Sequence, residues 1–275
     1  MAAPEISVEF FPPKNAVGEE RLRESAAALA ALRPAYASVT YGAGGSTQER
    51  TLATVQFLQG QAGYEAVPHL TCIGSTESGI RELLQRYRDW GVRRIVALRG
   101  DLPEGMENPG FFRHASDLVA SIRAFGGFEI LASAYPDVHP QAVSAKHDLD
   151  YLVAKVEAGV DALVTQYFYN PDAYLQLRDA LARRGVQVPI VVGVMPIQNY
   201  QQIARFSAQC GAEIPRYMHL LFEAYADDPA SQNALATDIV ARQCALLLRE
   251  GAPGLHFYTL NQAEPTLAIA QRLGI

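Results

Sequence analysis

The chain has 275 residues, 49% of them hydrophobic and 19% charged, with a formal charge of −6. That length suits one eight-fold barrel of about 250 residues or two smaller domains, and the acidic balance counts against a nucleic-acid surface while leaving room for local phosphate contacts from Arg, Lys and helix N-termini. Three scattered cysteines, Cys72, Cys210 and Cys244, read as reduced thiols of a cytoplasmic protein; no signal peptide fits before the strand pattern at Glu5, and no run approaches the roughly 20 apolar residues of a membrane span.

Short apolar runs rich in Val, Ile and Leu alternate with longer segments rich in Ala, Leu, Glu and Arg. The predicted strands are Glu5–Phe11, Tyr36–Tyr41, Ala66–Cys72, Arg94–Leu98, Glu129–Ala134, Ala162–Tyr167, Pro189–Val194 and Gly254–Tyr258. Between them the spacing predicts helices over Glu19–Leu32, Gln48–Gln61, Ile80–Trp90, Ala115–Phe125, Ser144–Ala158, Pro171–Arg184 and Asn199–Gln209. The seventh interval is long: Ile214–Tyr225 reads as an extra helix before a helix from about Ser231 to Arg249, and Thr266–Leu273 closes the chain. Strand–helix alternation implies parallel crossovers, and uniformly apolar strands imply a sheet covered on both faces. The expected fold is a (β/α)₈ TIM barrel over residues 1–275, with an extra helix inserted before the last βα unit. A dinucleotide-binding open sheet is disfavoured. The first strand runs into Phe10-Phe11-Pro12-Pro13, and the turn at Gly42-Ala43-Gly44-Gly45 lacks the third glycine of that fingerprint.

A parallel barrel carries its active site at the carboxyl ends of its strands. Polar residues gather there: Glu9, Thr40, His69, Arg99-Gly100-Asp101, Tyr135, His139, Gln166, Tyr258 and Asn261. Each has an ordinary reading. Glu9 could cap backbone donors, Thr40 could fill a strand, His69 could be a satisfied core histidine, and Arg99 could simply pair with Asp101. Lys155 is by default a solvated side chain. Their common position at one mouth, not any single residue, argues for a site, and a fold with a mouth does not name a reaction.

The runs Val8-Glu9-Phe10-Phe11-Pro12-Pro13-Lys14, Ser38-Val39-Thr40-Tyr41-Gly42-Ala43, Pro68-His69-Leu70-Thr71-Cys72 and Ala97-Leu98-Arg99-Gly100-Asp101 resemble bacterial methylenetetrahydrofolate reductase. So do Ala134-Tyr135-Pro136-Asp137-Val138-His139-Pro140, Thr165-Gln166-Tyr167-Phe168 and His256-Phe257-Tyr258-Thr259-Leu260-Asn261, in the family's order along nearly the whole chain. The resemblance implies a barrel that holds FAD non-covalently, is reduced by NADH or NADPH, and converts 5,10-methylenetetrahydrofolate to 5-methyltetrahydrofolate by a ping-pong route that feeds methionine synthesis. It places Glu9 as the general acid and Asp101 as the carboxylate near flavin and folate. Thr40, His69, Arg99, Gly100, Asp101, Tyr135, His139, Asp148 and Lys155 fall on flavin-binding positions; Glu9, Gln166, Gln202, Phe206 and Gln262 fall on the substrate side. Gln262 stands where the family commonly has a basic residue, and Tyr151 stands where it carries a shorter polar one, so Tyr151 receives no cofactor role. A homo-oligomer without nucleic-acid or membrane partners is expected, as is the absence of the eukaryotic regulatory domain.

The chemistry suits those residue types. Opening the folate aminal needs a proton on the departing nitrogen, and an acid in an apolar barrel would keep the raised pKa that lets it give one. The cation formed would be stabilised by Asp101, while Arg99 and Lys155 suit a pyrophosphate. The rival readings are another flavin barrel oxidoreductase, such as one acting on proline, a metal-dependent barrel hydrolase, and a non-catalytic barrel. No HxH pair ends the first strand, which weakens the hydrolase.

Overall fold

The computed structural model describes residues 4–41, 45–101 and 110–275. Eight parallel strands close into one barrel in sequence order. They are β1 (Glu5–Phe10), β2 (Tyr36–Val39), β3 (Ala66–Thr71), β4 (Arg94–Leu98), β5 (Glu129–Ala134), β6 (Ala162–Thr165), β7 (Ile190–Val194) and β8 (Gly254–Tyr258). Closure joins β1 to β8, with Ser7 opposite His256 and Glu9 opposite Tyr258. The helices are α1 (Ala16–Leu29), α2 (Gly45–Gly60), α3 (Glu77–Asp89), α4 (Ala115–Phe125), α5 (Ala145–Glu157), α6 (Pro171–Arg183), α7 (Tyr200–Cys210), α8 (Arg216–Ala224), α9 (Pro229–Arg249) and α10 (Glu264–Leu273). Helix α8 is the expected insertion, standing between α7 and α9 ahead of β8.

The elements differ from their sequence expectation mainly at their ends. Several helices begin earlier than the apolar period suggests, because a polar cap starts the helix before the first core residue does. Asn15, Thr76 and Asp228 each accept a backbone N–H of the first turn, from Gly18, Gly79 and Ser231 respectively. Several strands end earlier, because apolar composition continues into loops whose backbone leaves the ladder. β2 stops at Val39 rather than Tyr41, and β6 at Thr165 rather than Tyr167. The glycine turn expected at Gly42-Ala43-Gly44 lies outside the described residues.

Alternation along the strands makes two cores. Outward side chains such as Val8, Phe10, Val39, Leu70 and Phe257 pack beneath the helices. Inward ones make a second cluster of Tyr36, Val67, Val96, Leu131, Val164 and Val191. This inner core is apolar along β4 to β7, whereas β1, β2, β3 and β8 turn Ser7, Glu9, Ser38, His69 and His256 toward one another. At the amino end of the barrel Arg94 meets Glu129 at 2.8 Å and Glu65 at 3.5 Å and lies over the Tyr36 ring, forming a floor. Gly193 on β7 is obligatory: a Cβ there would stand 2.0 Å from the Thr165 carbonyl oxygen and 2.9 Å from the Tyr258 ring.

Candidate active site

A cavity of about 540 Å³ opens at the carboxyl ends of the strands, the end where barrel chemistry is done. Glu9, His69, Asp101, Tyr135, His139, Gln166 and Phe206 all line it. Thr40, Arg99, Gly100, Asp148 and Lys155 are not among the lining residues, although Asp148 and Lys155 are hydrogen-bonded to the backbone of His139 and Ser133, which are. Gln202, exposed in the first turn of α7, and Gln262, after β8, are not among the lining side chains.

Glu9 sits at the centre of the polar half. Its Oε2 is 3.3 Å from His69 Nε2 and 3.8 Å from His256 Nε2, and the Ser38 hydroxyl donates to it at 3.4 Å. These contacts correct the expectation of an acid with a raised pKa in apolar surroundings. Burial alone would raise the Glu9 carboxyl, but His256 and His69 reverse that and hold it at about 2. The reversal arises because the sequence neighbours Val8 and Phe10 point away into the outer core. The residues that face Glu9 come from other strands.

Ser7, Ser38 and His256 were not singled out in the sequence. Ser7 lies two residues before Glu9 and therefore on the same face of β1, a signal that period-two alternation could have supplied. His256 Nδ1 is 2.8 Å from Ser7 Oγ, and its Nε2 is 3.2 Å from Ser38 Oγ. The His256 ring also stacks on Tyr36, with centroids 5.6 Å apart.

The opposite wall comes from β4 to β6 and the loop after β5, with α5 hydrogen-bonded behind it. Asp148 accepts the His139 backbone N–H at 2.9 Å, and the Tyr135 and His139 rings meet edge to face at 4.4 Å. Arg99 donates to the Gln141 side-chain carbonyl at 2.5 Å. Gly100 has φ +87, and an added Cβ would crowd Thr71 at 3.1 Å, so this turn of the Leu98-Arg99-Gly100-Asp101 run is a glycine position on steric grounds. Lys155 reaches inward from α5 to donate to the Ser133 carbonyl at 2.5 Å. Burial pulls its ammonium down to about 8, opposed by Asp148. A lysine so placed is short of negative charge and suits an anionic ligand. Among the described residues no group of three or more His, Cys, Asp or Glu converges as metal ligands, and no helix is long and apolar enough to cross a membrane.

A third set of interactions closes the mouth between the first and last strands. The Asn261 side chain accepts the Phe11 N–H at 3.0 Å and donates to the Phe11 carbonyl at 2.9 Å, while Ser25 Oγ donates to the Asn261 carbonyl at 2.7 Å. Thr259 Oγ1 donates to the Glu9 carbonyl at 2.6 Å. Much of the two terminal motifs is thus structural, holding the backbone on which Glu9 is mounted.

A family model described as methylenetetrahydrofolate reductase matches residues 2–274. The 5,10-methylenetetrahydrofolate reductases of Pectobacterium carotovorum and Escherichia coli are each 39% identical over 270 residues, covering 98% of this chain and 90% of theirs. A plant relative, methylenetetrahydrofolate reductase (NADH) 1 of Arabidopsis thaliana, is 35% identical over 98% of this chain and 48% of its own length. Among solved structures, an uncharacterized protein from Clostridium thermocellum that binds two copies of 5-methyl-5,6,7,8-tetrahydrofolic acid shares the fold, with a TM-score of 0.67 at 14% identity over 99% of this chain and 96% of that one. With the family match running the length of the barrel, the chain belongs to the methylenetetrahydrofolate reductase family.

Proposed function

We propose that this protein reduces 5,10-methylenetetrahydrofolate to 5-methyltetrahydrofolate, using NADH or NADPH and non-covalently bound FAD, and so supplies methyl groups for methionine synthesis in the cytoplasm. The observation that carries the reading is the Glu9 carboxylate, facing a cavity large enough for a flat heterocycle and backed by two imidazoles. The family membership supports the folate substrate, as does the tetrahydrofolate bound by the Clostridium thermocellum protein of the same fold. The name of the Arabidopsis relative favours NADH.

The residues present fit FAD. Lys155, part-buried with a backbone carbonyl as its hydrogen-bond acceptor, and Arg99 suit a pyrophosphate; Thr40, His69, Gly100, Asp101, Tyr135, His139 and Asp148 would complete the cradle. When bound, the flavin supplies hydride transfer between nicotinamide nucleotide and folate. The protein's own part is to bind, orient and move protons. Glu9 protonates the nitrogen that leaves the folate aminal, and Asp101 stabilises the cation that results. Gln166 and Phe206, which line the cavity, offer an amide and a ring to either flat substrate, and Gln202 and Gln262 are assigned to the substrate side by resemblance alone. One mouth serves both substrates in turn, which gives ping-pong kinetics. A homo-oligomer with the whole chain as one catalytic domain is part of the same proposal.

The test is direct. The purified protein should carry FAD that denaturation releases, and initial-rate lines for nicotinamide nucleotide against folate should be parallel. Intersecting lines, or a protein that takes up no flavin, would overturn the reading.

A further inference from the structure

We propose that His69 is the proton-bearing partner of Glu9: the two side chains hold one proton between His69 Nε2 and Glu9 Oε2, and the pair, not the carboxyl alone, is the acid of the folate step. The proposal rests on the assignment of Glu9 as that acid, and it gives His69 a different duty from the flavin contact implied by resemblance.

Hydrogen-bond directions around Glu9 lead to this. Ser38 donates its only proton to Glu9 Oε2 at 3.4 Å, so Ser38 Oγ must accept from His256 Nε2 at 3.2 Å. His256 Nδ1 lies 2.8 Å from the Ser7 hydroxyl, which is also 3.5 Å from the Leu255 carbonyl. Both ring nitrogens of His256 are thereby occupied by serine hydroxyls, and its side chain is only 3% exposed. His69 is different. Its Nε2 is 3.3 Å from Glu9 Oε2, nearer than His256, its side chain is 12% exposed, and it lines the cavity. A proton lost from His69 can therefore be replaced from solvent through the mouth. A carboxylate held at about 2 by its imidazole neighbours carries no proton of its own at neutral pH, so the one it gives must be lent to it.

The step balances. As the folate C–N bond breaks and its electron pair passes to the departing nitrogen, Glu9 delivers a proton to that nitrogen and His69 delivers one to Glu9. Glu9 ends as a carboxylate and His69 as a neutral imidazole. The other titratable groups facing this space are His256 and Tyr258 from β8, Tyr36 from β2, Asp101 after β4, Tyr135 and His139 after β5, and Tyr167 after β6, with Cys210 further out on α7. Burial raises all four tyrosines, Tyr36 to about 12, so they stay neutral and do not compete for the proton. Burial lowers His139, which keeps that ring neutral as well.

Two measurements test the pair. The first is the pH profile of the folate half-reaction in the flavin-loaded enzyme, by stopped flow, for wild type, His69→Gln and His69→Asn. The basic limb should move to lower pH by about one pH unit or more once the imidazole is gone. At pH ~7.5 that is roughly a tenfold or greater loss, recovered in part as pH falls. The second measurement needs neither flavin nor folate: the Glu9 carboxyl band, identified by its loss in Glu9→Gln, is followed by infrared spectroscopy against pH. His69→Gln should raise the pH at which Glu9 takes up a proton by about one unit or more. A limb that stays in place in both His69 variants overturns the proposal, as does one moved by His256→Gln instead, or a Glu9 titration indifferent to His69. If wild type shows no folate step at all, the functional reading fails, and the infrared titration still decides whether His69 controls the charge on Glu9.

Discussion

Replacing Glu9 by Gln separates a chemical role from a structural one. The amide keeps the volume and most hydrogen bonds but cannot carry the proton. The folate half-reaction should slow by roughly a hundredfold or more, far more than reduction of bound flavin by nicotinamide nucleotide; equal slowing of both would return Glu9 to a structural role. The same residue should leave a mark on stability. Its pKa is lowered from 4.5 to about 2 in the folded protein. A depressed carboxyl stabilises the fold above its unfolded pKa, and that contribution is lost as pH falls through the folded one. The stability advantage of wild type over Glu9→Gln, measured by urea unfolding, should therefore shrink between pH 4.5 and 2; an advantage that stayed constant over that range would contradict the ion-pair geometry. Asn261 is the structural counterpart. Its side chain satisfies both backbone groups of Phe11, so Asn261→Ala should cost about 1–3 kcal/mol, and a smaller loss in denaturant unfolding would mean the mouth does not depend on that clamp.

At the scale of elements, helix α5 links fold to site. Its N-cap Ser144 accepts the His147 N–H, its first turn carries Asp148, which anchors the His139 backbone, and its last turn carries Lys155. Ser144→Ala should therefore destabilise by about 1 kcal/mol and weaken flavin retention as well, measured by flavin release on dilution; a loss of stability with flavin held as tightly as before would disconnect the helix from the cofactor. Strand β7 makes a harsher demand. Gly193→Ala forces a Cβ into the Thr165 carbonyl, and because that contact is with backbone there is no side chain to swing aside. The cost should exceed that of an ordinary overpacked core position, about 1–3 kcal/mol.

Across the whole molecule, the cavity gathers side chains from most of the eight strands, so ligand binding and barrel stability are linked. Lys155 provides a way to see this. Burial lowers it to about 8, whereas an anionic group brought beside it would favour the charged form and raise it. Flavin binding should consequently take up protons near pH 8, readable by calorimetry in buffers of different ionisation enthalpy. In the flavin-free protein the sign is the same as Glu9's, in a different window: the unfolded chain binds the lysine proton more readily, so stability rises with pH between about 8 and 10.5. Proton release on binding, or no exchange, would remove Lys155 from the pyrophosphate site.

The architecture was legible in the chain because its signals are local. Apolar runs recur at barrel spacing, the helices between them carry their own periodicity, and the long interval before β8 announced the inserted α8. The terminal motifs pointed to one mouth, where the cavity opens, for the same reason: a residue that ends a strand of a parallel barrel must face it. What the chain by itself could not express is who faces whom across the barrel. Val8 and Phe10 flank Glu9 in sequence and suggest an apolar site. In space they lie outside the barrel, and His69 from β3, Ser38 from β2 and His256 from β8 take their place. The environment of an inward side chain is set by register between strands far apart in sequence, with Glu9 opposite Ser38 on one side and Tyr258 on the other. The sequence by itself therefore determined the barrel and the end where the cavity opens, and only closure of β1 against β2 and β8 decided that the carboxylate there is a partner of imidazoles rather than an isolated acid.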